Sequence, residues 1–496
     1  MSAVLLRVIQ RSGANVHLFW LCGRSLSARS VATDAFSATD SESDRPLNVE
    51  PTSMHRGPTQ HLRSCSFSET SFRPSFRSQS FTYLSTQRAR FQSRRVTSAL
   101  SQATVDENMA SLLAKAACPT RAATPAIVAV DGTVVTYGQL MQETARYCSQ
   151  LRELAKSLDA SFHRTGNVMH DSAGALGDEL KGARVGLMVG PGPEYAAATF
   201  AIWLCGGVSV PLALGNPAAE LKYSLEDSGA ALMMASSPYL ATLDSVVREL
   251  DVSLVNVTEF SAESSEVSSC IGEAVAAASK LDEERGALII YTSGTTGRPK
   301  GALHSHRSLK AQIYALVNAW EWASRDRMLH CLPLHHIHGI VNGLFCALDA
   351  GACLEFLPKF SPTTIWRRMV AGHNGSATPI TVYMGVPTMY VRLLQAYAAM
   401  PDEEKAAAKA AAGALRLTVS GSAACPVPVM NEWEETTGQR LLERYGMTEI
   451  GMALSNPYSD ERRPGTVGQP LPGVEVKMVQ AREVRGAPGC PVRWPS

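Results

Sequence analysis

The stretch of this sequence with the most chemistry in it is Thr292, Ser293, Gly294, Thr295, Thr296, Gly297, Arg298, Pro299 and Lys300. It sits in GALIIYTSGTTGRPKGALHSH, residues 286–306, between an apolar strand and a second short strand. Hydroxyls, glycines that let backbone N–H groups approach a ligand, and a closing lysine make a cradle for a polyphosphate. The Gly-x4-Gly-Lys-Ser/Thr spacing of a Walker A loop is absent. An ordinary Gly/Ser/Thr turn between strands is the alternative reading.

Two further stretches carry chemistry. In LLERYGMTEIGM, Glu449 offers a carboxylate that can hold Mg2+ between phosphate oxygens, as hard cations prefer. Thr448 adds a hydroxyl and Tyr445 a flat ring beside a base, while Glu443 and Arg444 read alone as a surface ion pair. CLPLHHIHG places His335, His336 and His338 close together. In a strand, 336 and 338 share a face and 335 opposes them, so the three cannot converge on one zinc ion. A His-rich loop without a ligand is the alternative.

The elements that must position these residues alternate. Residues 183–189, 208–212 and AALMMAS read as buried strands, with helices over 193–207 and AELKYSLEDSG between them. Strand–helix alternation argues for parallel sheets covered on both faces. Asp131-Gly132 marks a hairpin, 106–117 an amphipathic helix ended by Pro119, and 138–156 another helix. Residues 157–182 read as a surface insertion and AAAKAAAGA (406–414) as an exposed helix or linker.

The chain has 496 residues, 45% hydrophobic, with 46 basic against 45 acidic side chains. A net charge of +1 gives no general reason to expect nucleic acid or an anionic membrane. The apolar runs are shorter than the roughly 20 residues of a membrane span. Eleven scattered cysteines fit reduced, buried thiols better than a disulfide framework. Residues 1–104 hold 13 Arg, no Lys and 6 acids. An Arg-rich, Ser-rich, acid-poor start reads as a mitochondrial transit peptide over 1–33, which implies a matrix location. Residues 34–104 read as a disordered Ser/Arg-rich linker.

YTSGTTGRPKG resembles the phosphate loop of the adenylate-forming superfamily of acyl-CoA synthetases, luciferases and adenylation domains. CLPLHHIHG, RLTVSGSAA (416–424) and LLERYGMTEIGM resemble three further motifs of that family in the same order. The resemblance covers 105–480 and implies an α/β large domain of two stacked subdomains, plus part of a smaller β subdomain. It implies ATP, Mg2+ and coenzyme A as cofactor or substrates. By its motif positions, Thr292, Ser293, Gly294, Thr295, Thr296 and Gly297 hold phosphates. Gly421, Ser422, Ala423, Tyr445 and Gly446 line the nucleotide, with Tyr445 on adenine. Lys300, Thr448, Glu449 and His336 act in catalysis, and Glu449 and Thr296 ligate the metal.

LPLHHIHGIVNGL, VYMGVPTMYVRLL and PGTVGQPLPGVEV narrow the resemblance to malonyl-CoA synthetases, acting on malonate or methylmalonate. There, His338 faces the acyl pocket, and Arg392 with Ser422 pairs the distal carboxylate; Arg416 is a weaker candidate. Another short- or medium-chain acyl-CoA synthetase, or a non-catalytic nucleotide-binding relative, is the alternative. After PLPGVEVKMVQ the family pattern stops. Its Gly-Glu-Leu motif, ribose-binding Asp and C-terminal domain are expected to be missing, with 481–496 a non-homologous tail.

Overall fold

The computed structural model describes residues 4–12, 15–22, 29–30, 112, 118–162, 179–259, 282–292 and 297–480. The proposed linker over 34–104, the tail over 481–496 and all but Leu112 of the helix over 106–117 lie outside them.

Strand β1 (Val4–Ser12) pairs antiparallel with β2 (Asn15–Cys22), and β2 with β3 (Arg29–Ser30). Next among the described elements, Pro119 occupies the first turn of α1 (Pro119–Ala122), where its fixed φ and missing N–H cost nothing. Strands β4 (Pro125–Val128) and β5 (Val134–Thr136) form the hairpin expected at Asp131-Gly132, and α2 spans Tyr137–Phe162. Helix α2 thus takes in the start of the expected insertion.

An α/β series follows: β6 (Arg184–Met188), α3 (Pro193–Leu204), β7 (Val208–Pro211), α4 (Ala218–Ser228), β8 (Ala230–Ser236), α5 (Leu240–Leu250) and β9 (Ser253–Val257). Strands β10 (Gly286–Thr292) and β11 (Lys300–Ser305) complete a sheet ordered β11-β10-β7-β6-β8-β9. It is parallel except for the β10–β11 pair.

The second series is α6 (His306–Ala319), β12 (Arg327–His330), a π-helix (His338–Phe345), α7 (Cys346–Ala350), β13 (Cys353–Phe356), α8 (Pro362–His373), β14 (Val382–Gly385), α9 (Pro387–Ala398), α10 (Asp402–Gly413), β15 (Leu417–Ser420), α11 (Val427–Thr437), β16 (Leu442–Met447), β17 (Gly451–Ser455), β18 (Gln469–Pro470) and β19 (Val474–Gln480). Its sheet runs β18-β17-β16-β15-β14-β12-β13-β4-β5, with β16, β15, β14, β12, β13 and β4 parallel. Helix α10 is not free-standing: Ala408, Ala411 and Ala412 are buried, so one alanine face packs while Ala406, Ala407, Lys409 and Ala410 are exposed.

Helix α3 explains how the two sheets join. PEYAAATFAIWL is apolar all round, so it has no solvent face, and every residue but Glu194 is buried. Trp203 donates its indole N–H to the Ala287 carbonyl of β10 at 2.6 Å, and its ring lies 5.1 Å from Phe345 of the π-helix. One helix thereby ties the first sheet to the layer under the second. Strand β1 also pairs with β19, from Val4 opposite Gln480 to Gln10 opposite Val474. The basic start of the chain is therefore strand in this structure.

Candidate active site

Strands β12, β14, β15 and β16 run parallel, so the loops after them leave from one edge of the sheet. Crevices at the carboxyl ends of parallel strands are where α/β sheets bind ligands. Three of the four stretches singled out in the sequence lie there.

The fourth is the phosphate loop. Thr292 and Lys300 stand opposite each other across β10 and β11, with the Thr292 hydroxyl donating to the Lys300 carbonyl at 3.4 Å. Antiparallel pairing draws the two ends of the loop together, and Lys300 is exposed at its exit. Ser293, Gly294, Thr295 and Thr296 lie outside the described residues. Gly297 has φ +154° with open space around it. The first sheet braces the exit: Tyr223 of α4 donates to the Pro299 carbonyl at 2.9 Å, and the Arg298 guanidinium lies over the Tyr223 ring. Sequence reading missed Tyr223, because it lies 69 residues before Thr292 in a helix with no motif.

Glu449 is exposed in the tight turn between β16 and β17, with Thr448 half-buried before it. Gly446 has no room for a side chain, since a Cβ would stand 2.3 Å from the Gly451 carbonyl. Tyr445 is partly buried; desolvation first and the Glu449 charge second push its hydroxyl up to about 12. These two chosen residues therefore sit within electrostatic reach. Gln312 of α6 holds the turn, accepting from the Met452 N–H and donating to its carbonyl at 3.4 Å. Mg2+ bound with nucleotide needs only one or two protein carboxylates. Glu449, exposed and without a hydrogen bond or ion pair among the described residues, fits that requirement.

The histidines do not lie in a strand. Residues 334–336 turn, and His338 opens the π-helix, so the alternation expected for 335, 336 and 338 does not apply. The His335 and His336 rings lie 4.2 Å apart, with His336 exposed. Burial lowers the pKa of both, His335 to about 4. His338 is 4% exposed and its Nδ1 lies 3.2 Å from the Ser422 hydroxyl. Ser422 has φ +68°, rare for a side chain with a Cβ, so the loop holds its hydroxyl at a conformational cost. Ala423 is exposed beside it, and Gly421 is buried.

Two expectations about charged residues change. Glu443 and Arg444 are not a surface pair: both are buried, on opposite faces of β16. Glu443 accepts the Cys425 N–H at 2.7 Å, and burial raises its pKa. Arg416 is engaged by Asp326 and the Trp320 carbonyl. Arg392 is exposed on α9 and makes no hydrogen bond or ion pair among the described residues. The structure thus joins His338 to Ser422, while the Arg392 guanidinium is exposed and uncommitted to any described protein group.

Among the described residues no helix is long and apolar enough to cross a membrane. The chain is 42% identical over 358 residues to the malonate–CoA ligase of Arabidopsis thaliana, covering 71% of this chain and 57% of that protein. It is 43% identical over 321 residues to the mitochondrial malonate–CoA ligase ACSF3 of Homo sapiens, covering 63% and 54%. It therefore spans little more than half the length of these relatives. The ATP-bound crystal structure of MatB from Rhodopseudomonas palustris superposes with a TM-score of 0.56 at 31% identity, over 74% of this chain and 65% of that one. A family model described as AMP-binding enzyme matches residues 155–491, taking in the phosphate loop, the π-helix and the β16–β17 turn. With that match running through every element of the site, the chain belongs to the AMP-binding enzyme family.

Proposed function

We propose that this chain supplies the adenylating site of an ATP-dependent acid–CoA ligase whose acid is malonate. The observation that carries the reading is the contact of buried His338 with the exposed Ser422 hydroxyl, which supplies polar partners where a long-chain synthetase needs an apolar tunnel. The names of the relatives at 42% and 43% identity support the same acid. Methylmalonate, one methyl group larger, is a second substrate of the same site.

In the first step a malonate oxygen attacks the α-phosphorus of ATP, and pyrophosphate leaves. In the second, the coenzyme A thiolate attacks the acyl carbonyl, and AMP leaves. Lys300 and the hydroxyls after Thr292 hold the β- and γ-phosphates, so their charge is met before the reaction. Glu449, with Thr296, would hold Mg2+, which neutralises phosphate charge when bound. Tyr445 offers its ring to the base, Gly421, Ser422 and Ala423 line the nucleotide, and Thr448 reaches the phosphates. His336 lies beside the acid's reacting carboxylate. His338 stays neutral, because burial first and the Arg444 charge second lower its pKa, so it can accept or donate without adding charge. Positioning of this kind is the main contribution of a protein to such displacements. The Arg-rich segment 1–33 supports import into the mitochondrial matrix, as does the mitochondrial name of ACSF3.

The test is pyrophosphate–ATP exchange by the full chain with malonate, methylmalonate, acetate or octanoate. Malonate is expected to support the fastest exchange. Equal exchange with octanoate would remove the malonate assignment, and nucleotide binding with no exchange for any acid would make the chain a nucleotide-binding relative.

A further inference from the structure

Tyr223 and Asp227 stand one turn apart on α4, so their side chains share a face of the helix. That face meets both ends of the segment between β10 and β11. Before the segment, the Tyr291 hydroxyl donates to Asp227 Oδ2 at 2.8 Å. After it, the Tyr223 hydroxyl donates to the Pro299 carbonyl at 2.9 Å, with Asp227 Oδ1 a second acceptor 3.4 Å away. The two tyrosine rings meet edge to face, with their centroids 6.5 Å apart. One helix thus holds residues on either side of the phosphate loop, and one carboxylate serves both tyrosines.

The neighbouring residues fit this arrangement. Gly301 lies opposite Tyr291 in the β10–β11 register, and a Cβ there would stand 3.3 Å from the ring Cζ. Glycine therefore leaves the ring the room it uses to reach α4. The Arg298 guanidinium lies over the Tyr223 ring, 5.4 Å from its centre, so the same side chain also holds a cation next to Pro299. Burial first and the Asp227 hydrogen bond second raise the Tyr291 pKa; desolvation first and the Asp227 charge second raise that of Tyr223. Both hydroxyls therefore keep their protons at neutral pH and donate. Asp227 is negative and repels phosphate, so what it can hold is the two hydroxyls. A loop that wraps a ligand loses conformational freedom on binding, and restraining its ends beforehand lessens that loss. Thr292 and Lys300 adjoin Tyr291 and Pro299 in the chain, so the restraint bears directly on them.

Resting on the ATP reading above, we propose that Tyr223 and Asp227 are positioning residues for the triphosphate: they fix both ends of the β10–β11 loop, so that Thr292 and Lys300 are in place for the β- and γ-phosphates before ATP arrives. They act through Tyr291 and Pro299 and touch no substrate. AMP, which lacks those two phosphates, gains nothing from them, and neither does malonate.

The experiment is thermal unfolding of the full chain, titrated separately with MgATP, with AMP, and with malonate in the presence of AMP. The rise of the midpoint with concentration gives an apparent affinity for each ligand. Tyr223→Phe keeps the ring and loses one hydroxyl. It should weaken MgATP by about threefold to tenfold, the size of one lost hydrogen bond, and leave the AMP and malonate responses as in wild type. Asp227→Ala should weaken MgATP too, although it sheds a negative charge. Asp227→Asn keeps an acceptor for the Tyr291 hydroxyl and sheds the same charge, so it should bind MgATP at least as well as wild type. Tyr291→Phe and Asp227→Ala break the same bond, so the double variant should bind MgATP no worse than Asp227→Ala alone. A wild-type MgATP response in Tyr223→Phe overturns the proposal. So does equal weakening of MgATP and AMP, which marks a structural role, or an Asp227→Asn that falls as far as Asp227→Ala. If Asp227→Ala does not fold, Tyr223→Phe and Asp227→Asn decide. A wild type that responds to AMP and not to MgATP sinks the triphosphate reading of the loop and this inference with it. A wild type that responds to MgATP, beside a Tyr223→Phe that responds equally, sinks this inference only.

Discussion

Arg416 closes on Asp326 through two parallel hydrogen bonds of 2.6 Å, Nε to Oδ1 and Nη2 to Oδ2. Asp326 is 2% exposed and has further partners in the Thr381 hydroxyl at 3.0 Å and the Ala323 N–H at 2.8 Å. Arg416 also reaches the Trp320 carbonyl and lies over the rings of Trp322 and Tyr458. The pair therefore fastens the start of β15 to the start of β12, at the edge of the sheet away from the site.

Removing one partner from such a buried pair strands the other. Asp326→Ala is expected to cost about 3–5 kcal/mol of unfolding free energy, read as a lower urea midpoint. Arg416→Met should destabilise too, while the malonate-induced shift of whatever remains folded keeps its wild-type size. A selective loss of the malonate response in Arg416→Met would return that residue to the substrate site.

The sequence made the α/β alternation and the site loops legible because each depends on local signals. Buried parallel strands read as apolar runs, and the phosphate loop is a contiguous motif. What stayed hidden depends on partners distant in the chain. Arg416 finds Asp326 from 90 residues away, and Tyr223 finds Pro299 from 76. Strand geometry for His335, His336 and His338 fails because HHIHG has no local signal that separates strand from turn, and His338 opens a π-helix. Glu443 and Arg444 looked like a surface pair because adjacent charges usually are; strand alternation in a sheet buried on both faces sends them apart.

Acid should weaken the fold. His306 and His330 are 3% and 0% exposed, and burial lowers each pKa to about 4. In the unfolded chain both return to about 6.5. Below that value the unfolded state binds protons that the folded state refuses, so stability is intact above pH 6.5 and falls between 6.5 and 4. His306→Leu, which fills the space beside Trp203 without a titrating group, should lessen the fall in urea midpoint between pH 7 and pH 5. An unchanged slope would show that His306 is not part of it.

Ser422 stores strain, and two substitutions separate that strain from its hydrogen bond. Ser422→Ala keeps the left-handed backbone and loses the contact with His338. Ser422→Gly loses the same contact but adopts positive φ without penalty. The glycine variant should therefore be the more stable of the two by about 1 kcal/mol, measured by urea unfolding, although both bind malonate less well than wild type. Equal stability would mean that the loop relaxes and that no strain is held at this position.

Lys300 and Glu449 are both exposed, so neither should matter to the fold. Surface substitutions of this kind usually change stability by less than about 0.5 kcal/mol. Lys300→Ala and Glu449→Ala are accordingly expected to unfold at the wild-type temperature when no nucleotide is present. With MgATP they should part from wild type, because Lys300 meets phosphate charge and Glu449 the metal. Wild type should gain stability with MgATP in proportion to occupancy, and each variant should gain less. The two are then told apart by AMP, which has neither the terminal phosphates nor their metal: both variants should respond to AMP nearly as wild type does. Reduced AMP responses in both would place these side chains against the nucleoside instead and would move the phosphate site away from the β10–β11 loop.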